Sequence, residues 1–490
     1  MPANLDAAKA VPIPDRISRE FLVHHQICPA GLLPDGSLAV AVTAQSLLDA
    51  LDDLSIAYER PVVSELTTPE DVDMRIARLA ADEEPMELEQ GPAADAGFTS
   101  DVRDLANQPP VVRFVNLLIR EAYDAGASDI HLESTRDGLT TRFRVDGVLQ
   151  AAIDPPASMD RAVVSRVKLL AELDIAEHRR PQDGRIRVRL HARELDLRVS
   201  TVPTAFGESV VLRLLERGSG AIGLDTLGLA PALLATMQGL ARRPHGMILV
   251  TGPTGSGKTT TLYAALGLRS AASEKIITLE DPIEYTLAGV AQVPVHAETG
   301  VTFASMLRSI LRQDPDVVLV GEMRDSETAE LAIQAALTGH VVFSTLHTND
   351  AVGAVPRLLD LGAPPFLISA TLEAVLAQRL VRTICTACRE PYVPDRAGSA
   401  VLGEMDDGQP LFRGAGCEAC RGTGFSGRTG LFELLVMTDD IREALGAHPS
   451  RRHLESLASA AGLRSLMADG CDKVKAGITT IEEVLRVTQQ

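Results

Sequence analysis

Ten residues, TGPTGSGKTT (Thr251–Thr260), concentrate three glycines, one proline and one lysine in a single bend. An apolar run, Met247-Ile248-Leu249-Val250, precedes them, and Thr261-Leu262-Tyr263-Ala264-Ala265-Leu266 opens a helical pattern after them. Strand, glycine loop and helix in that order restrict the chain to an α/β fold. Gly252, Pro253, Thr254, Gly255, Ser256, Gly257, Lys258 and Thr259 fit G-x-x-x-x-G-K-[ST] at every required position, with Thr260 continuing into the helix. Glycines let successive N–H groups point into one concavity, and the helix N-terminus adds partial positive charge; together they hold nucleotide phosphates. Lys258 is expected to reach the β- and γ-phosphates of ATP, and the Thr259 hydroxyl to ligate Mg²⁺.

The following sequence alternates short apolar runs with amphipathic segments, as a parallel sheet with helical crossovers requires. Strands are expected over Lys275–Leu279, Val317–Val320 and His340–Thr345, and helices over Thr302–Arg312, Ser326–Thr338 and Pro356–Leu361. Glu322 ends the second of these strands, at the edge where ligands of open α/β sheets bind, and is the candidate for preparing the attacking water. Gly321 stands where a strand-end aspartate is usual, so metal support has to come from Thr259 and another carboxylate. Glu280, Asp281 and Glu284 in ITLEDPIEY are the candidates, because clustered carboxylates repel unless cations or a metal offset them. A solvated acidic turn is the plain alternative. His340 and His347 flank the third strand; His347, at its end, is the one placed to sense the γ-phosphate.

Charge divides the chain into blocks. Residues 1–100 carry 18 acidic and 6 basic side chains, a net of −12, which leaves −7 of the total −19 for the rest. Residues 101–222 hold 18 acids and 18 bases, and seventeen of those bases are arginine, Lys168 being the lone lysine. These boundaries predict a small N-terminal α+β domain (1–80) and a flexible acidic linker (81–100, within Ala81–Asp101). An arginine-rich middle domain (101–222) and an ATPase domain (223–490) follow, with a joint at Glu216–Gly223. In the first block a strand is expected over Gly36–Thr43 and helices over Gln45–Asp53 and Pro69–Ala80. The N-terminus lacks a basic start followed by an apolar stretch, and no segment reaches the ~20 apolar residues of a membrane span, which predicts a cytoplasmic chain.

Four of the six cysteines fall into two pairs, Cys385-x-x-Cys388 and Cys417-x-x-Cys420, while Cys28 and Cys471 read as core residues. Four thiolates make one closed tetrahedral Zn²⁺ site over 385–420. The gap of 28 residues between pairs exceeds the commonest ribbon spacing, but loop closure rises only logarithmically, costing about 0.4 kcal/mol against zinc binding of order 10 kcal/mol. A disulfide or redox pair is the alternative reading.

With LEDPIEY, LRQDPDVVLVGEMRDSETAELAIQAALTGH, STLHTND and PFLISATLEAVLAQRLVRTIC following the phosphate loop in order, the chain resembles the secretion ATPases of type II secretion systems and type IV pilus assembly. The likeness extends upstream through GASDIHLE, RFRVDGVL, RRPQDGR and RVSTVPTAFGESVVLRLL, covering roughly residues 100–490. It implies a RecA-like ATPase domain, a PAS-like α+β middle domain and a zinc-binding insertion. The resemblance also implies a homo-hexamer in which arginines of the middle domain lie against the nucleotide. Arg185, Arg198 and Arg213 lie in the family's arginine-bearing stretches, with Arg142 and Arg144 as further candidates; arginine's planar fork matches phosphate better than lysine does. Ordinary ion pairing with the 18 acids of this block is the alternative for each. The wording sits closer to the type II secretion branch (general secretion pathway E) than to pilus extension motors. The implied role is a motor for pseudopilus assembly, docked by its N-terminal domain on the cytoplasmic part of an inner-membrane platform protein. It would reach the membrane as a peripheral protein through that partner.

Two other classes are open to a phosphate loop beside a zinc ribbon. A nucleic-acid translocase needs basic grooves and aromatic platforms, but the chain has no tryptophan, is 3% aromatic and is acidic overall. A pseudo-ATPase scaffold is disfavoured by the intact Lys258, Thr259 and Glu322.

Overall fold

In the computed structural model, residues 105–489 are described apart from 191–192, 217–221, 296–299, 395–401, 403–409 and 447–448. Before residue 89 the described positions are 22, 25–33, 36–43, 49–58, 60–69, 71–72 and 87–88. The chain forms two units, Met1–Glu89 and Gln90–Gln490. The expected helix Pro69–Ala80, the linker and the joint at 216–223 lie largely outside the described residues.

In the first unit, β1 (Ile27–Leu32) runs antiparallel to β2 (Leu38–Val42), and β2 runs parallel to β3 (Val62–Leu66). The parallel step needs a crossover, supplied by α1 (Asp49–Tyr58). Ile27, Cys28, Leu38, Val40 and Leu54 fill its core. Cys28 is therefore a plain core residue, whereas Cys471 elsewhere is half-buried. The helix expected over Gln45–Asp53 lies further along, at Asp49–Tyr58.

The second unit carries two sheets. The first begins after α2 (Pro109–Asp124), where two prolines occupy the opening turn, a place that lacks N–H partners anyway. Its strands are β4 (Ala127–Thr135), β5 (Gly138–Val145), β6 (Val148–Ala151), β7 (Gln182–Leu190), β8 (Arg193–Thr204) and β9 (Gly207–Glu216), with α3 (Asp160–Leu170) between β6 and β7. They lie in the order β7-β8-β9-β4-β5-β6, every pairing antiparallel. Inward positions of β7 alternate with outward arginines, so Ile186 and Val188 are buried while Arg185, Arg187 and Arg189 face out.

The second sheet is parallel in its body. After α4 (Pro231–Ala241) come β10 (Gly246–Thr251), α5 (Lys258–Leu266), β11 (Ile276–Glu280), β12 (Ala291–Pro294), α6 (Phe303–Ile310) and β13 (Val317–Val320). Next are α7 (Ser326–Leu337), β14 (Val341–Leu346), α8 (Ala354–Asp360), α9 (Pro365–Thr371) and β15 (Leu372–Ile384). The order is β12-β11-β13-β14-β10-β15-β18, and only β18 (Phe425–Val436) is antiparallel to its neighbour. All residues of β10, β13 and β14 are buried. Parallel sheets covered on both faces produce such unbroken apolar strands, and separate cores fill the two faces, one around Met247, Val318 and Ala332, the other around Ile248, Tyr263 and Phe343. The expected strands and helices of this sheet are found, Val317–Val320 with both ends as expected and the others with ends shifted by at most two residues, the two-residue shifts at helix ends.

Between β15 and β18, a two-stranded hairpin of β16 (Arg389–Tyr392) and β17 (Leu411–Gly414) carries the cysteine pairs at its ends. Four helices close the chain, α10 (Asp439–Leu445), α11 (Arg451–Ala460), α12 (Leu466–Lys475) and α13 (Ile481–Thr488). Each starts at a hydroxyl cap, Thr438, Ser450, Ser465 or Thr480, that accepts an otherwise orphaned N–H. Among the described residues no helix is long and apolar enough to cross a membrane.

Candidate functional site

The loop Gly252–Gly257 leaves the end of β10 and turns into α5, whose first residue is Lys258, three positions earlier than periodicity indicates. Gly252, Gly255 and Gly257 hold φ of 151°, 78° and 84°, values that a side chain makes costly. At Gly252 space is also decisive, since a Cβ would lie 2.5 Å from the backbone oxygen of Gln378 on β15. Lys258 Nζ donates to the loop's own carbonyls, Gly252 O and Pro253 O, each at 2.9 Å. Burial lowers its pKa to about 8; the nearby Glu322 carboxylate works against that shift and Arg379 with it. Thr259 and Thr260 are half-buried in the first turn of α5.

Glu322 follows β13 after Gly321. A Cβ on Gly321 would stand 3.0 Å from the Leu279 carbonyl, whose oxygen accepts from Gly321 N at 2.8 Å. The close approach of β11 and β13 would crowd the Cβ of an aspartate there. Glu322 is mostly shielded, with its side chain 13% exposed. Its Oε1 pairs with Arg324 Nη2 at 2.7 Å and its Oε2 lies 3.5 Å from His347 Nε2. Carboxylate, histidine and the phosphate-loop lysine thus share one end of the parallel sheet, the end at which such folds bind ligands. Arg324 is a site residue that the sequence reading missed; its signal was its position two residues after Glu322. His340 does something else: its Nδ1 is 2.8 Å from the Ala335 carbonyl at the end of α7, a structural contact.

The carboxylates of 280–284 separate. Glu280 is drawn into the interior, 3% exposed. There it accepts from Tyr263 Oη of α5, from Thr278 Oγ1 and, at 3.1 Å, from Gln292 Nε2. The expectation groups Glu280 with Asp281 and Glu284 as carboxylates that could support a metal; in the structure Glu280 parts from the other two, because all its donors are internal. Asp281 and Glu284 are exposed.

The three arginines that the resemblance singles out converge. Arg185, Arg198 and Arg213 line one cleft of about 410 Å³ with Asp183 and Ser200. Arg198, on β8, reaches the carboxylate segment of the parallel sheet, its Nη2 donating to Ile283 O at 3.4 Å. Burial lowers its pKa, and Glu284 pulls the other way. Arg213 Nε also pairs with Asp129 at 2.9 Å. Arg142 pairs with Glu133 at 2.6 Å and Arg144 stands 3.9 Å from Asp129, so these two are engaged within their own sheet.

The four thiols of Cys385, Cys388, Cys417 and Cys420 lie within 4.8 Å of one another. Separations of 3.9 Å (Cys385–Cys417), 3.8 Å (Cys388–Cys420) and 3.7 Å (Cys417–Cys420) match the edge of about 3.8 Å of a tetrahedron with Zn–S bonds of ~2.3 Å. The backbone N–H groups of Cys417 and Gly424 each approach Cys420 Sγ at 3.2 Å. The first of these contributes most to holding the Cys420 thiol below its ordinary pKa, whereas burial pushes the Cys388 thiol up, so the fit to a metal rests on the sulfur geometry. The set fits zinc.

Residues 104–486 match the family model described as type II/IV secretion system protein. The chain is 50% identical over 395 residues to the type II secretion system protein HxcR of Pseudomonas aeruginosa, covering 81% of both chains. It is 44% identical over 481 residues to a type II secretion system protein E of Xanthomonas campestris, covering 96% of this chain and 85% of that one. To the type II secretion system ATPase E of Vibrio cholerae it is 48% identical over 392 residues, with 80% and 78% covered. Among solved structures, the pilus retraction motor PilT with bound ADP aligns with a TM-score of 0.54 at 27% identity, over 77% of this chain and 97% of that one.

Proposed function

Since the chain belongs to the type II/IV secretion system protein family, we propose that it is the ATP-hydrolysing motor of a type II secretion system. It works as a homo-hexamer whose domain movements drive assembly of a pseudopilus. The observation that carries the reading is the juxtaposition of the phosphate-loop lysine, Lys258, with Glu322 and its two partners, Arg324 and His347.

Phosphates enter the concavity of Gly252–Gly257, and Lys258 exchanges its two loop carbonyls for β- and γ-phosphate oxygens. Glu322 orients the attacking water and accepts its proton, while Arg324 and His347 fix the carboxylate's orientation. Mg²⁺ supplies charge neutralisation of the phosphates when bound; Thr259 would hold it, with Asp281 and Glu284 as the carboxylates left to assist. Glu280 acts on this site only indirectly, through Tyr263 and the position of α5. Arg185, Arg198 and Arg213 bring positive charge to the edge of the carboxylate segment. Cys385, Cys388, Cys417 and Cys420 would hold a structural Zn²⁺, which would pin the hairpin between β15 and β18. The acidic first unit docks on the cytoplasmic part of an inner-membrane platform protein, leaving the motor on the cytoplasmic face of the membrane. Charge complementarity favours a basic surface on that partner. A pilus extension motor is the second reading; the likeness to PilT, a pilus retraction motor, supports a pilus motor in general and not the direction of its work.

The test is ATP turnover by the full chain alone, with anionic liposomes bearing the platform domain, and with single- or double-stranded nucleic acid. Stimulation by the loaded liposomes and not by nucleic acid supports the secretion motor. Stimulation by nucleic acid alone sinks it and promotes a translocase.

A further inference from the structure

Arg379, in the middle of β15, is 5% exposed and forms no ion pair among the described residues. Its Nε donates to Val487 O near the end of α13 at 3.3 Å, and its Nη2 donates to Asn349 O at 3.2 Å and to Asn349 Oδ1 at 3.3 Å. Nη1 is buried with no hydrogen-bond partner. This nitrogen faces the phosphate loop from behind, since a Cβ on Gly252 would lie 3.3 Å from it. The same point is 2.7 Å from Ser256 Oγ, also buried and unpartnered, and 2.5 Å from Gln378 O.

A guanidinium so buried is costly unless an anion completes it. The carboxylates that act on its charge, Asp350 and Glu433, do so at a distance. What adjoins the orphaned nitrogen is the backbone of the glycine that opens the phosphate loop, and the loop's ligand is a polyanion. We propose that Arg379 is a positioning residue for nucleotide binding: a fixed cation behind Gly252 that favours the phosphate-filled loop and couples it to Asn349 and the end of α13. The glycine is what allows the approach, because any side chain at 252 would fill the gap. Arg379 never touches the nucleotide; it acts through the loop backbone and through the field it sets at Lys258. The charged groups acting on Lys258 are Glu322 from the end of β13 and Arg379 from β15.

The inference rests on the reading of the loop as an ATP site, and the test separates the two. The full chain and its Arg379→Gln, Arg379→Lys and Asn349→Ala variants are titrated with a non-hydrolysable ATP analogue, and kcat and KM are followed from pH 6.5 to 9.5. Arg379→Gln is expected to raise Kd and KM about tenfold with kcat changed less than threefold, and to move the alkaline limb of kcat/KM to higher pH. Arg379→Lys keeps the charge and restores most of the affinity with the limb in place. Asn349→Ala leaves the loop intact but releases the guanidinium, and is expected to raise Kd about threefold; it decides the matter if Arg379→Gln fails to fold. A folded Arg379→Gln or Asn349→Ala variant with wild-type Kd and an unmoved limb overturns the role of Arg379. A wild-type chain that binds no analogue overturns the ATP reading itself.

Discussion

His347 Nε2 stands 3.5 Å from Glu322 Oε2, joining the end of β14 to the end of β13 across the strand-end edge of the sheet. The histidine is half-exposed and the carboxylate is shielded, so His347, proposed to sense the γ-phosphate, is the more accessible of the two. His347→Ala is expected to lower kcat by about tenfold to a hundredfold with a smaller change in KM. Steady-state kinetics check this; an unchanged kcat would remove His347 from the site.

Lys258 is held at about pKa 8 by burial, below the ordinary lysine value near 10.4. Its folded-state pKa is depressed, so the nucleotide-free protein loses this charge as pH rises through 8. Phosphates favour the charged form and raise the pKa again on binding. ATP affinity is therefore expected to be level below pH 7.5 and to weaken by up to tenfold per pH unit above about 8. Calorimetric titrations between pH 7 and 9.5 measure it, and Lys258→Met should show no such limb.

Gly252→Ala places a Cβ 2.5 Å from a backbone oxygen at a φ of 151°. Backbone oxygen cannot move aside as a side chain can, so the loop must shift. The expected result is loss of ATP binding with a stability loss of about 2 kcal/mol, read by nucleotide titration and thermal melting.

The sulfur tetrahedron predicts one zinc per chain by elemental analysis. Cys385→Ser or chelation is expected to lower the melting temperature strongly, since zinc contributes on the order of 10 kcal/mol to small closed sites. Lys258→Ala should abolish turnover with little thermal change. Equal thermal losses from the two variants would contradict this division between structure and catalysis.

Glu483, the third residue of α13, is 2% exposed. Burial alone would raise its pKa, but hydrogen bonds from Arg486 and Arg382 outweigh this and bring it to about 2. Its folded value is depressed, so the stability it contributes is present above pH ~4.5 and is lost as pH falls through 2. Glu483→Gln is expected to cost about 3 kcal/mol at pH 7 by stranding Arg382, and the variant's deficit should shrink in melts taken from pH 4.5 down to 2.

The phosphate loop, the strand bearing Glu322 and the cysteine pairs were legible because each signal is local: a few residues of fixed spacing carry the chemistry. Glu280 misled for the same reason. A carboxylate at a strand end reads alike whether it faces solvent or, as here, is claimed by Tyr263 and Gln292 from other elements. Gln378 and Arg379 were invisible for the complementary reason. They sit more than a hundred residues beyond the loop they support, and only the pairing of β10 with β15 brings them beneath it. The arginines fell between these cases: composition singled out their block, but only the sheet order gathers Arg185, Arg198 and Arg213 while engaging Arg142 and Arg144 elsewhere.

The measurement that tests the account most directly is ATP hydrolysis by Glu322→Gln beside ATP binding by the same protein. Removing only the charge that prepares water should leave Kd within about threefold of wild type and lower kcat by at least a hundredfold. Turnover at the wild-type rate in a variant that binds ATP normally would contradict the assignment of Glu322 and, with it, the proposed chemistry of this site.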